Sequence, residues 1–238
     1  NTWSDASGNG HDATQDSSGL QPTVVLNALN GKPVVRFDGV NEFMSTGTGA
    51  FISSQPNTVF IIGKTNNLGS GDEPFIAGTN TSNRHNVLVR NGLYRIFAGT
   101  GQNGGAATTN FALITAVFNA PTGSSLWINQ SQRLNNVNAG SESLNGLNIG
   151  SNEHKTQFLD GDIAEILVFD TVLSESDRKD VECYLLQKWL TGVLELASVD
   201  LQYSEDGNQW FDANGDLTAG FDICIDPDLP ASYQPEES

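Results

Sequence analysis

One segment near the end of the chain, residues 161–190, constrains the fold more than any other. It begins with a nearly unbroken apolar run at 163–169, rich in β-branched and aliphatic residues, which is typical of a strand buried on both faces. Ser174 follows, three residues before Asp177, as an N-cap with an acidic partner at N3. Apolar residues then recur at helical spacing before Gly192, a typical helix stop. The segment therefore predicts a central strand, a turn and one amphipathic helix.

The rest of the chain predicts short strands joined by turns. Asn86–Arg90 and Leu93–Phe97 flank the dipeptide Asn91-Gly92, which is a strong signal for a tight β-hairpin. The Gly- and Asn-rich stretch 99–109 is expected to be a loop. Further strands are predicted at 34–38, 42–46, 58–63, 75–78, 111–118, 126–129 and 147–150.

Three parts of the sequence resemble one known family. The closing segment 158–189 resembles the end of laminin-G-like jelly-roll domains, which belong to the concanavalin A-like lectin/glucanase superfamily. The opening at 3–15 and 30–39 is similar to that family as well, and Ser125–Asn129 resembles one of its strands. The resemblance covers about residues 1–190. It implies an all-β jelly-roll β-sandwich with one C-terminal helix, on a scaffold that hosts lectins, adhesion domains and glycosidases alike.

Acidic residues are concentrated at the C-terminal end. The 238-residue chain has a formal net charge of −17, which argues against nucleic acid and anionic membranes as partners. Eleven of its 28 Asp and Glu residues lie in 195–238, where there is no Lys or Arg. We therefore expect a jelly-roll domain at 1–192 and an acidic extension at 193–238. The extension is predicted to contain a Pro-rich linker and a hairpin, which either packs on the core or begins a further module.

The surroundings of the chain are inferred from the family resemblance and from its fragment-like ends. No apolar run has transmembrane length and no signal peptide is recognised, so membrane insertion is not expected. We expect a piece of a longer bacterial protein that is secreted or displayed at the cell surface, with other domains of the same polypeptide as partners. In that setting the two cysteines, Cys183 and Cys224, could form a disulfide or remain free.

A basic and aromatic concentration at the predicted hairpin suggests a saccharide site. Sugar sites combine aromatic planes with forked hydrogen-bond donors. Strand alternation assigns Val87 and Val89 to the core and Arg90 to the opposite face. The alternative is a solvated hairpin with a core tryptophan. The predicted ligand-binding residues are Arg84, His85, Arg90, Tyr94 and Arg95, together with Trp127 and Asn129 on a second strand.

Three carboxylates near the start of the closing strand raise the possibility of catalysis. Asp160, Asp162 and Glu165 resemble the catalytic strand of retaining glucanases in the same superfamily. The pattern departs from that family at Asp160 and at the following Gly161. In a regular strand Glu165 would also point to the opposite face unless a bulge intervened. We therefore expect a domain that is not an enzyme and has no catalytic residues.

A metal site is predicted in the acidic extension. Asp212, Asn214 and Asp216 place oxygen ligands at alternate residues, with Gly215 easing the turn, as a calcium loop requires. The bidentate glutamate that closes an EF-hand is absent, so an acidic turn without metal is the alternative. Calcium is expected to have a structural role.

Together these features predict an extracellular, calcium-stabilised carbohydrate-binding module for a poly- or oligosaccharide. A structural or protein-binding adhesion domain is the alternative, and a glycoside hydrolase is the third possibility. The sequence leaves the sugar and the binding face open.

Overall fold

The computed structural model describes residues 1–190, 202–203 and 210–211. The chain divides into two compact units, 1–190 and 191–238. The first nine strands of the first unit are β1 Thr2–Trp3, β2 Ala13–Thr14, β3 Thr23–Leu29, β4 Lys32–Asp38, β5 Met44–Ser45, β6 Ile52–Ser53, β7 Asn57–Thr65, β8 Asp72–Ala77 and β9 Asn86–Arg90. The next eight are β10 Leu93–Phe97, β11 Gly101–Ala106, β12 Ala112–Phe118, β13 Ser124–Ile128, β14 Ser131–Val137, β15 Leu144–Asn145, β16 Asn148–Ile149 and β17 Asp160–Phe169.

Two antiparallel sheets form a sandwich. The eight-stranded sheet has the order β1-β2-β5-β16-β8-β9-β10-β11, and the seven-stranded sheet has the order β14-β13-β12-β7-β17-β4-β3. Apolar side chains from both sheets, among them Ile61, Ile76, Ile96, Ile114 and Ile163, form the core between them. The predicted jelly-roll β-sandwich is confirmed.

A β-bulge in β17 decides which of its side chains reach the core. Ile163 pairs with Gly63 and Glu165 pairs with Ile62, so Ala164 is an extra residue between them. Because of this insertion, Glu165 lies on the outer face of the seven-stranded sheet while Ile166 still joins the core.

One α-helix follows β17 and covers part of that outer face. Helix α1 spans Glu175–Leu185 and continues as a π-helical turn, Leu186–Leu190. As predicted, the Ser174 hydroxyl caps it, accepting a hydrogen bond from the Asp177 amide at 3.1 Å. Among the described residues no helix is long and apolar enough to cross a membrane.

The helix is attached to the sheet by apolar packing and by one carboxylate. Leu185 and Trp189 pack with Phe60 and other apolar side chains of the sheet. The Trp189 indole donates a hydrogen bond to Glu165, and the Lys188 ammonium lies 2.9 Å from the same carboxylate. The bulge therefore places Glu165 where the helix can use it.

Several strands differ from the sequence-based predictions. The segment expected to be a loop contains β11, which pairs with β10 at the edge of the eight-stranded sheet. The edge strands β3 and β14 were not predicted at these bounds either. Both are largely exposed, and apolar residues of β3 such as Val24 and Leu26 face solvent. By contrast, β9 and β10 have the predicted bounds, and both residues of the Asn91-Gly92 turn have positive φ.

In the second unit, β18 Gln202–Tyr203 pairs antiparallel with β19 Trp210–Phe211, within the predicted hairpin. The other predictions for this unit lie outside the described residues. They comprise Gly192, the linker, the Cys224 end of the possible disulfide and the predicted calcium ligands Asp212, Asn214 and Asp216.

His85 lies in the sandwich interior with its ring edge-on to Phe118, at a centroid distance of 3.9 Å. Burial lowers the pKa of His85 to about 3, although the backbone of Ser143 opposes this shift. The folded protein therefore holds this imidazole neutral, while the unfolded chain takes up a proton near the ordinary histidine pKa of about 6.5.

We predict that this histidine makes the protein sensitive to acid. As the pH falls from about 6.5 towards 3, the free energy of unfolding should decrease by up to ~1.4 kcal/mol per pH unit from this group. The His85→Phe variant should lack that component, while His154→Gln at an exposed position should retain it. Urea unfolding at several pH values measures the difference, and parallel curves for wild type and His85→Phe would contradict the prediction.

Candidate functional site

The seven predicted ligand-binding residues lie on two different sheets. Arg84, His85, Arg90, Tyr94 and Arg95 belong to β9, β10 and the segment that leads into β9, in the eight-stranded sheet. Trp127 and Asn129 belong to β13 and the turn after it, in the seven-stranded sheet. The structure therefore does not bring them together into one site.

Both aromatic rings predicted at the hairpin are buried. His85 is 1% exposed and Tyr94 is 5% exposed. Tyr94 pairs with Val89 across the hairpin, and both side chains belong to the core. The expected stacking of these rings on a sugar is corrected accordingly, because alternation along β10 directs Tyr94 inwards.

Arg84 is held by acidic neighbours. Its guanidinium contacts the two carboxylate oxygens of Glu142 at 3.1 and 3.2 Å and lies 3.9 Å from Glu153. The same group lies over the Phe97 ring, 4.9 Å from its centroid. The hydrogen bond to Glu142 raises the pKa of Arg84. Its charge is thus compensated within the protein.

Arg90 and Arg95 lie on the outer face of the same hairpin and are less compensated. Arg90 forms an ion pair with Asp72 at 3.3 Å. Arg95 donates to the neutral side chain of Asn103 at 2.6 Å. We call these two residues the arginine pair.

Trp127 lines a groove between the β13–β14 edge of the seven-stranded sheet and the start of α1. The groove has a volume of about 330 Å³. It is bounded by Trp127 and Ser125 on β13, Gln132 and Asn135 on β14, and Glu175 and Arg178 on the helix. We call it the Trp127 groove. Its size falls within the range of small-ligand pockets.

Arg178 fixes the position of the Trp127 ring. The Arg178 guanidinium lies 4.3 Å from the centroid of that ring. Arg178 is itself buried and bonded to the fully buried Glu182 at 2.6 Å. The tryptophan is therefore packed against a cation whose charge is compensated, and part of its ring remains exposed.

The polar lining of the groove is mainly neutral. Gln132 and Asn135 are exposed amides, so their donors and acceptors are available to a ligand. At the helical wall the charge of Glu175 is matched by Lys179, 3.2 Å away. Gln132, Asn135 and Arg178 are not among the ligand-binding residues predicted from the sequence. The signals present were the amide-rich stretch 131–138 and an Arg four residues before a Glu on the helix.

Asn129 has a different role from the one expected. It adopts a positive φ of 49° after β13, and its side-chain oxygen accepts a hydrogen bond from the Leu113 amide at 2.8 Å. This interaction fixes the turn at the end of the hairpin. Asn129 lies outside strand β13, where strand alternation no longer applies, and it is not among the residues that line the groove.

The three carboxylates of β17 all have structural partners. Asp162 is 1% exposed and receives two hydrogen bonds from Arg36, at 2.7 and 2.9 Å. Asp160 accepts a hydrogen bond from Asn66 at 2.9 Å, and Glu165 binds the helix. The bulge does place Glu165 on the same outer face as Asp162.

In the part of the chain that the structure describes, no group of three or more His, Cys, Asp or Glu side chains is arranged to hold a metal ion. Near the N-terminus, Asp5 forms a local turn. There the carboxylate accepts hydrogen bonds from Ser7 and His11, which lower its pKa to about 2.

Comparisons with known proteins define the fold. No protein-family model matches the sequence, and no curated protein matches it either. Among solved structures, the chain is similar to domain 4 of AbnA, a GH43 extracellular arabinanase from Geobacillus stearothermophilus solved in complex with arabinotriose. That match has 14% identity and a TM-score of 0.58, and it covers 75% of this chain and 92% of that domain.

Two further matches cover only part of the other protein. The Trypanosoma rangeli sialidase in complex with the inhibitor DANA has 15% identity and a TM-score of 0.51, covering 74% of this chain and 30% of the sialidase. The botulinum neurotoxin serotype D binding domain has 13% identity and a TM-score of 0.56, covering 88% of this chain and 58% of that domain. At these identities the likeness shows the fold alone, a jelly-roll β-sandwich.

We predict that the buried ion pair below Trp127 is needed for stability. In Arg178→Met the Glu182 carboxylate would remain buried without its cation, which should lower the free energy of unfolding by about 3–5 kcal/mol. The control is Lys179→Met on the same helix, which breaks the exposed pair with Glu175 and should cost less than ~0.5 kcal/mol. Urea unfolding of both variants measures the effect, and equal losses would contradict it.

Proposed function

We propose that this domain is a non-catalytic carbohydrate-binding module and that the Trp127 groove binds a neutral oligosaccharide. The observation that carries the proposal is the composition of the groove, in which a partly exposed indole lies beside exposed amides. A sugar ring presents C–H groups to an aromatic face and hydroxyls to amides. Such a groove matches both kinds of contact.

The charges around the groove favour a neutral ligand. Arg178 is bonded to Glu182, and Glu175 is paired with Lys179, so neither side chain offers an uncompensated charge. A sugar acid would gain little there over its interactions with water. Hydroxyl groups lose less on leaving water and can be satisfied by Gln132 and Asn135.

The similar structures support a glycan ligand. The arabinanase domain was solved with arabinotriose, and its fold is shared over most of its length. Carboxylates engaged in ion pairs and helix contacts argue against hydrolysis, since an acid/base pair must be free to contact the substrate. We further infer a secreted or cell-surface location, a laminin-G-like ancestry and a place beside other domains of a longer polypeptide.

We predict that Trp127→Ala weakens binding of a neutral trisaccharide at least tenfold, ~1.4 kcal/mol, because the stacking surface is lost. Calorimetric titration of the 238-residue chain with arabinotriose, xylotriose and cellotriose measures the affinities. Tyr184→Ala is the control, as this tyrosine is 52% exposed on the helix and does not line the groove.

Two further variants test the groove even if Trp127→Ala fails to fold. Gln132 and Asn135 are exposed, so their replacement by Ala should leave the melting temperature unchanged while weakening binding. No binding by the wild type to any neutral sugar, or equal losses in Tyr184→Ala, would overturn the proposal. An adhesion domain that recognises protein would then be the better explanation.

Calcium remains a prediction for the acidic extension. If Asp212, Asn214 and Asp216 hold the ion, added calcium should raise the melting temperature and EDTA should reverse the change, because a cation bound only by the folded form stabilises it. The double variant Asp212→Asn/Asp216→Asn should not respond. Differential scanning calorimetry measures this effect, and an unchanged response in the variant would contradict the assignment.

A further inference from the structure

We propose that the arginine pair, Arg90 and Arg95, forms a second glycan site, which binds an oxyanion group, carboxylate or sulfate, on a saccharide. This site lies on the eight-stranded sheet and does not depend on the Trp127 groove of the seven-stranded sheet. Its ligand class also differs from the neutral sugar assigned to the groove.

The outer face of the hairpin carries a local excess of positive charge. The chain carries 28 acidic and 11 basic residues, yet the arginine pair shares a single acidic neighbour. Among the described residues, Asp72 is the one carboxylate within ion-pair distance of either arginine. Arg90 is opposite Leu93, two residues before Arg95, so the two cations are diagonal neighbours on the hairpin. Burial lowers the pKa of Arg95, and the charge of Arg90 lowers it further, while Asp72 opposes this shift. An added anion would relieve the repulsion between the two cations.

Both arginines lie on the same face of the hairpin. In the hairpin register, Arg95 is opposite Leu88 and Arg90 is opposite Leu93, whereas the core residues Tyr94 and Val89 face each other. Both arginines therefore extend from the outer face of the sheet. This face contrasts with the outer face of the other sheet, on which α1 packs.

The Arg95 side chain is held in one orientation by its neighbours on β11. A Cβ atom at Gly101 would overlap the Arg95 guanidinium, so this group lies directly against the backbone of β11. Its Nη1 donates to Asn103, which fixes the group further. A guanidinium held in this way loses little entropy on binding, and its planar array of donors matches a carboxylate or a sulfate.

The strongly acidic chain limits which anion can bind. A formal net charge of −17 repels polyanions, including nucleic acid and acidic peptides with several charges. One net positive charge from two arginines and Asp72 instead suits a single oxyanion on an otherwise neutral sugar. The quantity to measure is therefore the difference in binding affinity between sugars that differ by one negative charge.

The test uses three probes with a common core: lactose, 3′-sialyllactose and lactose 3′-sulfate. Titrations of the 238-residue chain should show at least tenfold tighter binding of one or both acidic probes than of lactose. This preference should weaken as salt is raised. Which acidic probe binds more tightly distinguishes a carboxylate from a sulfate ligand.

Variants then locate the binding. Arg90→Gln/Arg95→Gln should abolish the preference for the acidic probes, while Lys179→Gln, which removes an exposed cation on α1, should keep it. Asp72→Asn should increase affinity for the acidic probes, an effect that a folding defect could not produce.

Equal binding of lactose and both acidic probes, or the same loss in Lys179→Gln, would overturn the proposal. Because neutral trisaccharides test the Trp127 groove separately, failure of either site can be recognised independently of the other. The arginine variants should leave arabinotriose binding unchanged.

Discussion

One extra residue in β17, Ala164, allows the strand to fill the core with one face and to bind helix α1 with the other. Without the bulge at Ala164, strand alternation would direct Glu165 towards the core between the sheets. With it, the core retains Ile163 and Ile166, and Glu165 receives hydrogen bonds from Trp189 and Lys188 on the π-helical turn. The position of α1 over the seven-stranded sheet, and hence the helical wall of the Trp127 groove, depends on this attachment.

Apolar periodicity explains how much of the fold could be predicted. The buried strand β17 and the Ser174 cap were recognised because they place β-type residues and a capping hydroxyl at fixed spacings. The edge strands β11 and β14 were missed because they are held by backbone pairing at the sheet margins rather than by an apolar face. Strand alternation alone indicates that Glu165 can share a face with Asp162 only if a bulge lies between them. That the bulge exists is known from the structure.

The candidate sites were less predictable than the fold. Tyr94 was grouped with Arg90 and Arg95 because they are close in sequence. Adjacent residues of a strand point to opposite faces, so Tyr94 lies in the core while Arg90 and Arg95 lie on the outer face. Trp127 is one of the predicted ligand-binding residues, but the helix wall and the amides beside it come together only through tertiary packing. The resulting arrangement has two distinct surfaces, a neutral groove on one sheet and a cationic pair on the other.

The central claim is that a neutral saccharide occupies the Trp127 groove, and amide-detected NMR tests it most directly. Titration of ¹⁵N-labelled protein with arabinotriose should shift the indole resonance of Trp127 together with the side-chain amides of Gln132 and Asn135. The indole resonance of Trp189, which is hydrogen-bonded to Glu165, should not shift. Shifts confined to other surfaces, or none at saturating sugar, would contradict the account.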